Sequence, residues 1–456
     1  MVVILISLLM FMERGRVDRT PRPVSVVASL RRSSMLSAMI LAMMLAWALP
    51  AAAEHYYVNG HTGNDAGRGT STDPFRSFKR AMAVLVPGDR LIVASGRYTE
   101  PLIIKQSGTA EQPINIVGEG RPLIETGDEP IQISGSYVEI SGFEAHALGL
   151  GSAIAVGKRN HHVRIADNIA RDSGCGGIGA EQTDYVIIEN NRVFGNARRS
   201  PWQCSGISIY QAINIDHAKG THNFIRRNIV YDNMNVVVDD KISNSGGKTT
   251  DGNGIIVDDT RHTQGGLTDP VYDGLTLIEN NIVFDNGGRG IHVFTSDHIV
   301  VRNNTSYRNV KDPNIEGLQN QYQSEFMAHY ASDVRFVNNI AVPRDNTIFG
   351  FLYAQTDGNS VWDFNFVQGG AILPRLGSRK GRGRHNIFET ADVEFVAPSV
   401  DPQMANFHLR QSSRALGTAN VSDAPSQDFS GAPRPRLGPI DLGALQTSVA
   451  WTNRGK

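Results

Sequence analysis

The sequence predicts an all-β chain wound as a right-handed parallel β-helix, closed at its N-terminal end by a short helix. Three observations predict it: a segment recurring at a basal spacing of 23 residues, a second repeat in fixed register with it, and a composition suited to many tight turns. The 456 residues include 46 Gly but only 18 Phe and 4 Trp, so the core must be built from Ile, Val and Leu.

The first repeat is an apolar run, a charged residue, Asn, an apolar residue and a turn. It reads Glu-Asn-Asn-Arg-Val-Phe-Gly-Asn at 189–196, Arg-Arg-Asn-Ile-Val-Tyr-Asp-Asn at 226–233 and Glu-Asn-Asn-Ile-Val-Phe-Asp-Asn at 279–286. The shared residues are Asn168, Asn191, Asn228, Asn281, Asn304 and Asn339, spaced by 23, 37, 53, 23 and 35. A coil of this basal length holds three short strands, each pairing with its counterpart about 4.8 Å away in the next coil. Asn suits the turns because it tolerates left-handed backbone, and stacked Asn amides can form ladders. The longer spacings are coils with inserted loops, concentrated between 191 and 281, where a groove would be walled.

The second repeat aligns Gly177-Ile178-Gly179-Ala180-Glu181, Gly206-Ile207-Ser208-Ile209-Tyr210, Gly254-Ile255-Ile256-Val257-Asp258 and Gly290-Ile291-His292-Val293-Phe294. Period-two alternation turns Ile207, Ile209, Ile255, Val257, Ile291 and Val293 inward, and Ser208 and His292 outward. Glu181, Tyr210 and Asp258 then stand one position further along. Cys175 and Cys204 each lie two residues before the aligned Gly, so adjacent coils hold them at disulfide range; stacked thiols are the alternative.

The ends differ from the coils. Phe78, Ala81, Met82 and Leu85 have helical spacing, stopped by Pro87-Gly88, and form the N-terminal cap. From about Asn386 the pattern loosens into Pro-rich chain expected along the outside. Residues 54–447 read as one β-helix domain and 448–456 as a tail. Residues 1–53 read as an upstream segment carrying an export signal: Leu30-Arg31-Arg32, an apolar run from Met35 to Leu49, then small residues to Ala53. The run is too short for a membrane span, and cleavage after Ala53 gives a secreted or periplasmic chain without membrane insertion. The apolar stretch from Val2 to Phe11 is read as preceding a true start at Met35, a tethered form being the alternative. Removing 1–53 takes away six basic and two acidic residues, leaving 38 against 43 and a formal charge of −5. That balance disfavours nucleic acid as a partner and requires any polyanion to find a local basic groove. A monomer is expected.

Over nearly its whole mature length the chain resembles secreted β-helix carbohydrate enzymes. The resemblance rests on Tyr56-Tyr57-Val58-Asn59, Gly63-Asn64-Asp65, Pro87-Gly88-Asp89, Gly96-Arg97-Tyr98 and Ser107-Gly108-Thr109. At the other end it rests on Asn406-Phe407-His408-Leu409, Asp428-Phe429-Ser430-Gly431 and Ile440-Asp441-Leu442-Gly443-Ala444. Pectate lyases of polysaccharide lyase family 9 carry a lysine on the strand after an Asn-Gly pair; here Asn253-Gly254-Ile255 is followed by Ile256. Alginate lyases of polysaccharide lyase family 31 use a tyrosine and a lysine further along, which Tyr210 and Lys248 could match. The Asp-Pro-His-Asp motif of alginate epimerases is absent. The resemblance implies cleavage of an acidic, uronate-containing polysaccharide such as alginate by β-elimination.

That chemistry needs a neutralised C6 carboxylate, a base for the C5 proton and an acid for the departing O4. Lys248 and Tyr210 are the catalytic candidates; Gln211, Arg261, His262 and His292 are the substrate-binding ones. Asp239, Asp240, Asp258 and Asp259 are candidate oxygen ligands for calcium, with turn and strand-end acids as the plainer reading. Lys248 is otherwise a solvated loop lysine, Tyr210 a sheet-covering residue and His292 a member of a surface stack. The run Arg375, Arg379, Lys380, Arg382 and Arg384 could attract a polyanion or simply be solvated. Two rival functions stand beside the lyase. One is a glycoside hydrolase using two of Glu181, Asp239, Asp240 and Asp258; the other is a carbohydrate-binding β-helix without catalysis.

Overall fold

The computed structural model describes residues 53–447, apart from 244, 319–321, 355–358 and 370–382. Each coil runs through three strands in turn, and stacking the coils gives three parallel sheets. Sheet A begins with His55–Val58 and Arg90–Val93, sheet C with Arg97–Tyr98, and sheet B with Leu102–Ile104. Sheet B carries the second repeat in the register read from the sequence: Ile178 pairs Ile207, Ile207 pairs Ile255, and Ile255 pairs Ile291. The inward residues Ile207, Ile209, Ile255, Val257, Ile291 and Val293 are all fully buried. Each contributes about 1.5–3 kcal/mol by leaving water, and their stacks make one continuous core from Val58 to Val367.

Two buried ladders fix the turns. Asn168 donates its backbone N–H and its side-chain amide to Asn191 Oδ1 at 3.0 and 3.3 Å. The pattern repeats through Asn228, Asn281, Asn304 and Asn339, and then extends to Asn365 and Asn386. The left-handed backbone expected at these asparagines belongs instead to the residue before each one: Asp167, Asn190, Arg227, Asn280, Asn303 and Asn338 have φ of 51–59°. Asparagine is required for its amide, which bridges coils that a turn alone would leave unpaired. A second ladder runs Asn196, Asn233, Asn286 and Asn309 and ends on the Glu325 carboxylate. It also explains the aligned glycines. A Cβ at Gly177, Gly206, Gly254 or Gly290 would sit 2.7–2.9 Å from the ladder amide beneath it.

The ends are sealed as expected. The helix Phe78–Met82, capped by the Ser77 hydroxyl, buries Phe78, Ala81 and Met82 on the first coils. The C-terminal chain packs Phe395, Phe407, Leu409 and Leu442 on Tyr231, Phe284, Tyr307 and Ile340 of the outer face of sheet C. Cys175 and Cys204 form a disulfide with Cα atoms 5.2 Å apart. Among the described residues, no helix is long and apolar enough to cross a membrane.

Candidate functional site

The outer face of sheet B is open at one end and covered at the other. The outward residues Gln132, Ala155, Gly179 and Ser208 are partly exposed and Ile256, though buried, still lines the floor, whereas His292, Met327 and Leu352, next in the same row, are buried off the lining. The open part is the floor of a groove of about 980 Å³. Trp202, Gln203 and Ile242 line one wall, and Gln264 and Gly265 belong to the loop after Asp258. The Cys175–Cys204 disulfide also lines the groove, two residues from Trp202, and so ties the Trp202 loop to the coil before it.

Three polar side chains stand in register at the strand ends: Glu181 pairs with Tyr210, and Tyr210 with Asp258. Burial raises the Asp258 carboxyl well above its usual range, and the neighbouring Asp251 and Asp259 push the same way against one hydrogen bond from Gln264. Asp251, also on the lining, is pushed up to about 6 by burial, with Arg289 and Asn253 opposing. Burial, Asp258, Asp259 and Glu181 together raise the Tyr210 phenol to about 12. Glu181 pairs with Lys158 at 2.9 Å. The floor therefore sets together a carboxyl at Asp258 whose proton burial holds more tightly than usual, a phenol at Tyr210 and Glu181 in its pair with Lys158. That separation of roles among neighbouring titratable groups suits acid–base chemistry.

The other expected site residues are placed elsewhere. Lys248 is outside the groove lining; its Nζ donates to Asn314 Oδ1 at 3.2 Å where two inserted loops meet. It was expected at the groove because its loop leads into the strand, but the loop's partner is the 310–318 segment. His292 points outward as read, yet lies under that cover, with neither ring nitrogen bonded within the protein and its pKa driven well down by burial. Arg261 forks onto both carboxylate oxygens of Asp297, at 2.8 and 2.7 Å. His262 ties its loop to the carbonyls of Asp269 and Ala212. Gln211 is buried between Gln182, Asp259 and the Gln264 carbonyl. None of these four lines the groove.

The calcium set is not assembled. Asp259 is buried and accepts from the Thr263 and Gln264 backbones and from Gln211, capping the loop after the strand. Asp239 accepts from the Lys241 N–H and Asp240 from the Gly247 N–H, as turn acids do. Among the described residues, no group of three or more His, Cys, Asp or Glu is placed to hold a metal. Of the basic run, Arg375, Arg379, Lys380 and Arg382 lie outside the described residues.

Three lining residues were missed. Trp202, 68% exposed, presents a broad apolar ring at the wall. Its signal was a tryptophan in a Ser-Pro-Trp-Gln-Cys turn, where packing does not call for one. Glu129 and Lys158 sit in turns flanking sheet B strands and carried no pattern.

Residues 56–324 match the family described as Pel9A-like, right handed beta helix region. YwoF of Bacillus subtilis (strain 168) is 32% identical over 139 residues, which make up 26% of this chain and only 29% of YwoF. Among solved structures, the alginate lyase of Paenibacillus sp. str. FPU-7 is 18% identical, with a TM-score of 0.44 over 68% of this chain and 96% of that one. Pectate lyase Pel9A is 15% identical, with a TM-score of 0.47 over 87% and 97%. A GH136 lacto-N-biosidase from Eubacterium ramulus is 16% identical, with a TM-score of 0.39 over 74% and 68%.

Proposed function

This chain belongs to the Pel9A-like right-handed β-helix family, and on that premise we propose that it cleaves glycosidic bonds of a polysaccharide laid along the sheet B groove, Asp258 giving its proton to the departing oxygen. The observation that carries the reading is Asp258 itself. It is a groove-lining carboxyl whose pKa burial raises well above its usual range, in line with Tyr210 and Glu181. Trp202 offers a face on which a sugar ring can stack.

The group opposite Asp258 separates two chemistries. In hydrolysis, Glu181 activates water. Glu181 and Asp258 are two strands apart, about 9.6 Å along the sheet at the backbone, close to the separation of an inverting pair, about 6.5–9.5 Å. The raised Asp258 carboxyl suits the acid of such a pair. The lining also favours it, since Glu129, Glu181, Asp251 and Asp258 face only Lys158 among the charged groups there. In β-elimination from a uronate, such as alginate, the Tyr210 phenolate takes the C5 proton while Asp258 hydrogen-bonds the C6 carboxylate, and the phenol so formed gives its proton to the departing O4 as the C4–C5 double bond forms. Tyr210 favours this reading by its place beside Asp258, but with the phenol raised to about 12 little phenolate is present at neutral pH. Hydrolysis is our first reading, and elimination is the second.

Residues 54–456 incubated with alginate, polygalacturonate, glucuronan and xylan separate the two. New reducing ends without ultraviolet absorbance are expected. Reducing ends accompanied by the absorbance of an unsaturated product would establish elimination instead. Neither signal on any polymer would remove the enzymatic reading. The disulfide supports a place of work outside a reducing compartment.

A further inference from the structure

The inserted loops do more than wall the groove: they stop it. Beyond Ile256, the outward row His292, Met327 and Leu352 is roofed. Met327, Phe349 and Leu352 pack with Tyr322, and Val310, Ile315 and Ile348 form a neighbouring cluster with Leu318. This roof is tied to the wall insert. Thr249 bridges to Ile315, its hydroxyl donates to Asp312, and Lys248 donates to Asn314. The buried Arg289 anchors the junction by donating to the Thr250 carbonyl. At the other end, Gln132 and Ile103 stay partly exposed. Counting strands from Gln132 to Ile256 gives four steps, or about 19 Å of open floor. Asp258 and Asp251 lie on the last open coil, against the stop.

We infer that the groove takes a polysaccharide by its end: the terminal residues pass over Tyr210 and Asp258 and abut the roof, so the enzyme removes short units from one chain terminus and does not cut internally. A polymer laid through the site would have to run across the coil of His292, where the roof leaves no lining surface. This rests on the cleavage reading above and deepens it by naming which part of the polymer is recognised.

The test is the product profile on hexasaccharides of mannuronate, galacturonate, glucuronate and xylose, each labelled at the reducing end and resolved by size at early times. A single short product at every time point is expected, with the label's location naming the end attacked, and the parent polymer's viscosity should fall slowly. A ladder of sizes from the first time point, with steep loss of viscosity, would overturn chain-end action while leaving cleavage intact. No cleavage of any of the four would overturn both.

Discussion

At the level of single residues, the groove's chemistry follows from which side chains are buried and what they face. Burial raises the Asp258 carboxyl well above its usual range, so its role as a proton donor is lost as the pH rises through that raised pKa. Activity should therefore have an alkaline limb that Asp258→Asn removes along with the rate, by a hundredfold or more in order of magnitude. A pH–rate profile of the wild type, beside the variant's residual rate, checks this. Trp202 is exposed at the wall and supports nothing in the core. Trp202→Ala should raise KM by up to about tenfold and leave kcat nearly unchanged, as expected for loss of a stacking contact of about 1 kcal/mol. Lys248 bonds to Asn314 and does not itself line the groove. Lys248→Ala should keep kcat within about twofold, whereas a loss of about a hundredfold would return it to the catalytic set.

At the level of strands and turns, the two ladders do the work of register. Glu325 closes the second one, accepting from Asn309 and Ser306 while fully buried. Burial raises its pKa from 4.5 to about 7 despite those bonds. Because the folded state binds this proton more tightly than the unfolded one, the stabilisation is full below about pH 4.5 and gone above about pH 7, an effect of about 3 kcal/mol. Glu325→Gln should flatten the pH dependence of unfolding free energy across that window, measured by chemical denaturation; an unchanged slope would exclude Glu325 as its source. The Cys175–Cys204 bridge spans 29 residues. In the chain-entropy view its loss by Cys175→Ser with Cys204→Ser removes roughly 3–4 kcal/mol. It should also loosen the Trp202 wall, so substrate affinity should fall with thermal stability.

Across the whole molecule, what was legible in the sequence is what repetition makes local. The aligned glycines and the alternating Ile and Val gave the sheet B register, because each inward residue meets its own counterpart one coil away. The disulfide followed from that same register. The site was legible only in part: Tyr210, Asp258 and Glu181 were placed correctly because they sit on the repeat. Lys248, Arg261 and His262 sit on insertions, where no period constrains the path, and their partners Asn314, Asp297 and Ala212 are distant in sequence. His292 shows the limit most plainly. Alternation set its direction, but that the outward face there is buried is decided by residues far along the chain. Trp202 escaped because it belongs to a turn and not to a strand.

The measurement that tests the central claim most directly is the rate of new reducing ends over pH for wild-type protein and Asp258→Asn, with thermal unfolding of both. Cleavage by the wild type should fade on the alkaline side, and the variant should fold as stably but cleave at least about a hundredfold more slowly. A variant that cleaves at the wild-type rate would show that Asp258 gives no proton to the leaving group, and the proposed chemistry of the groove would fall.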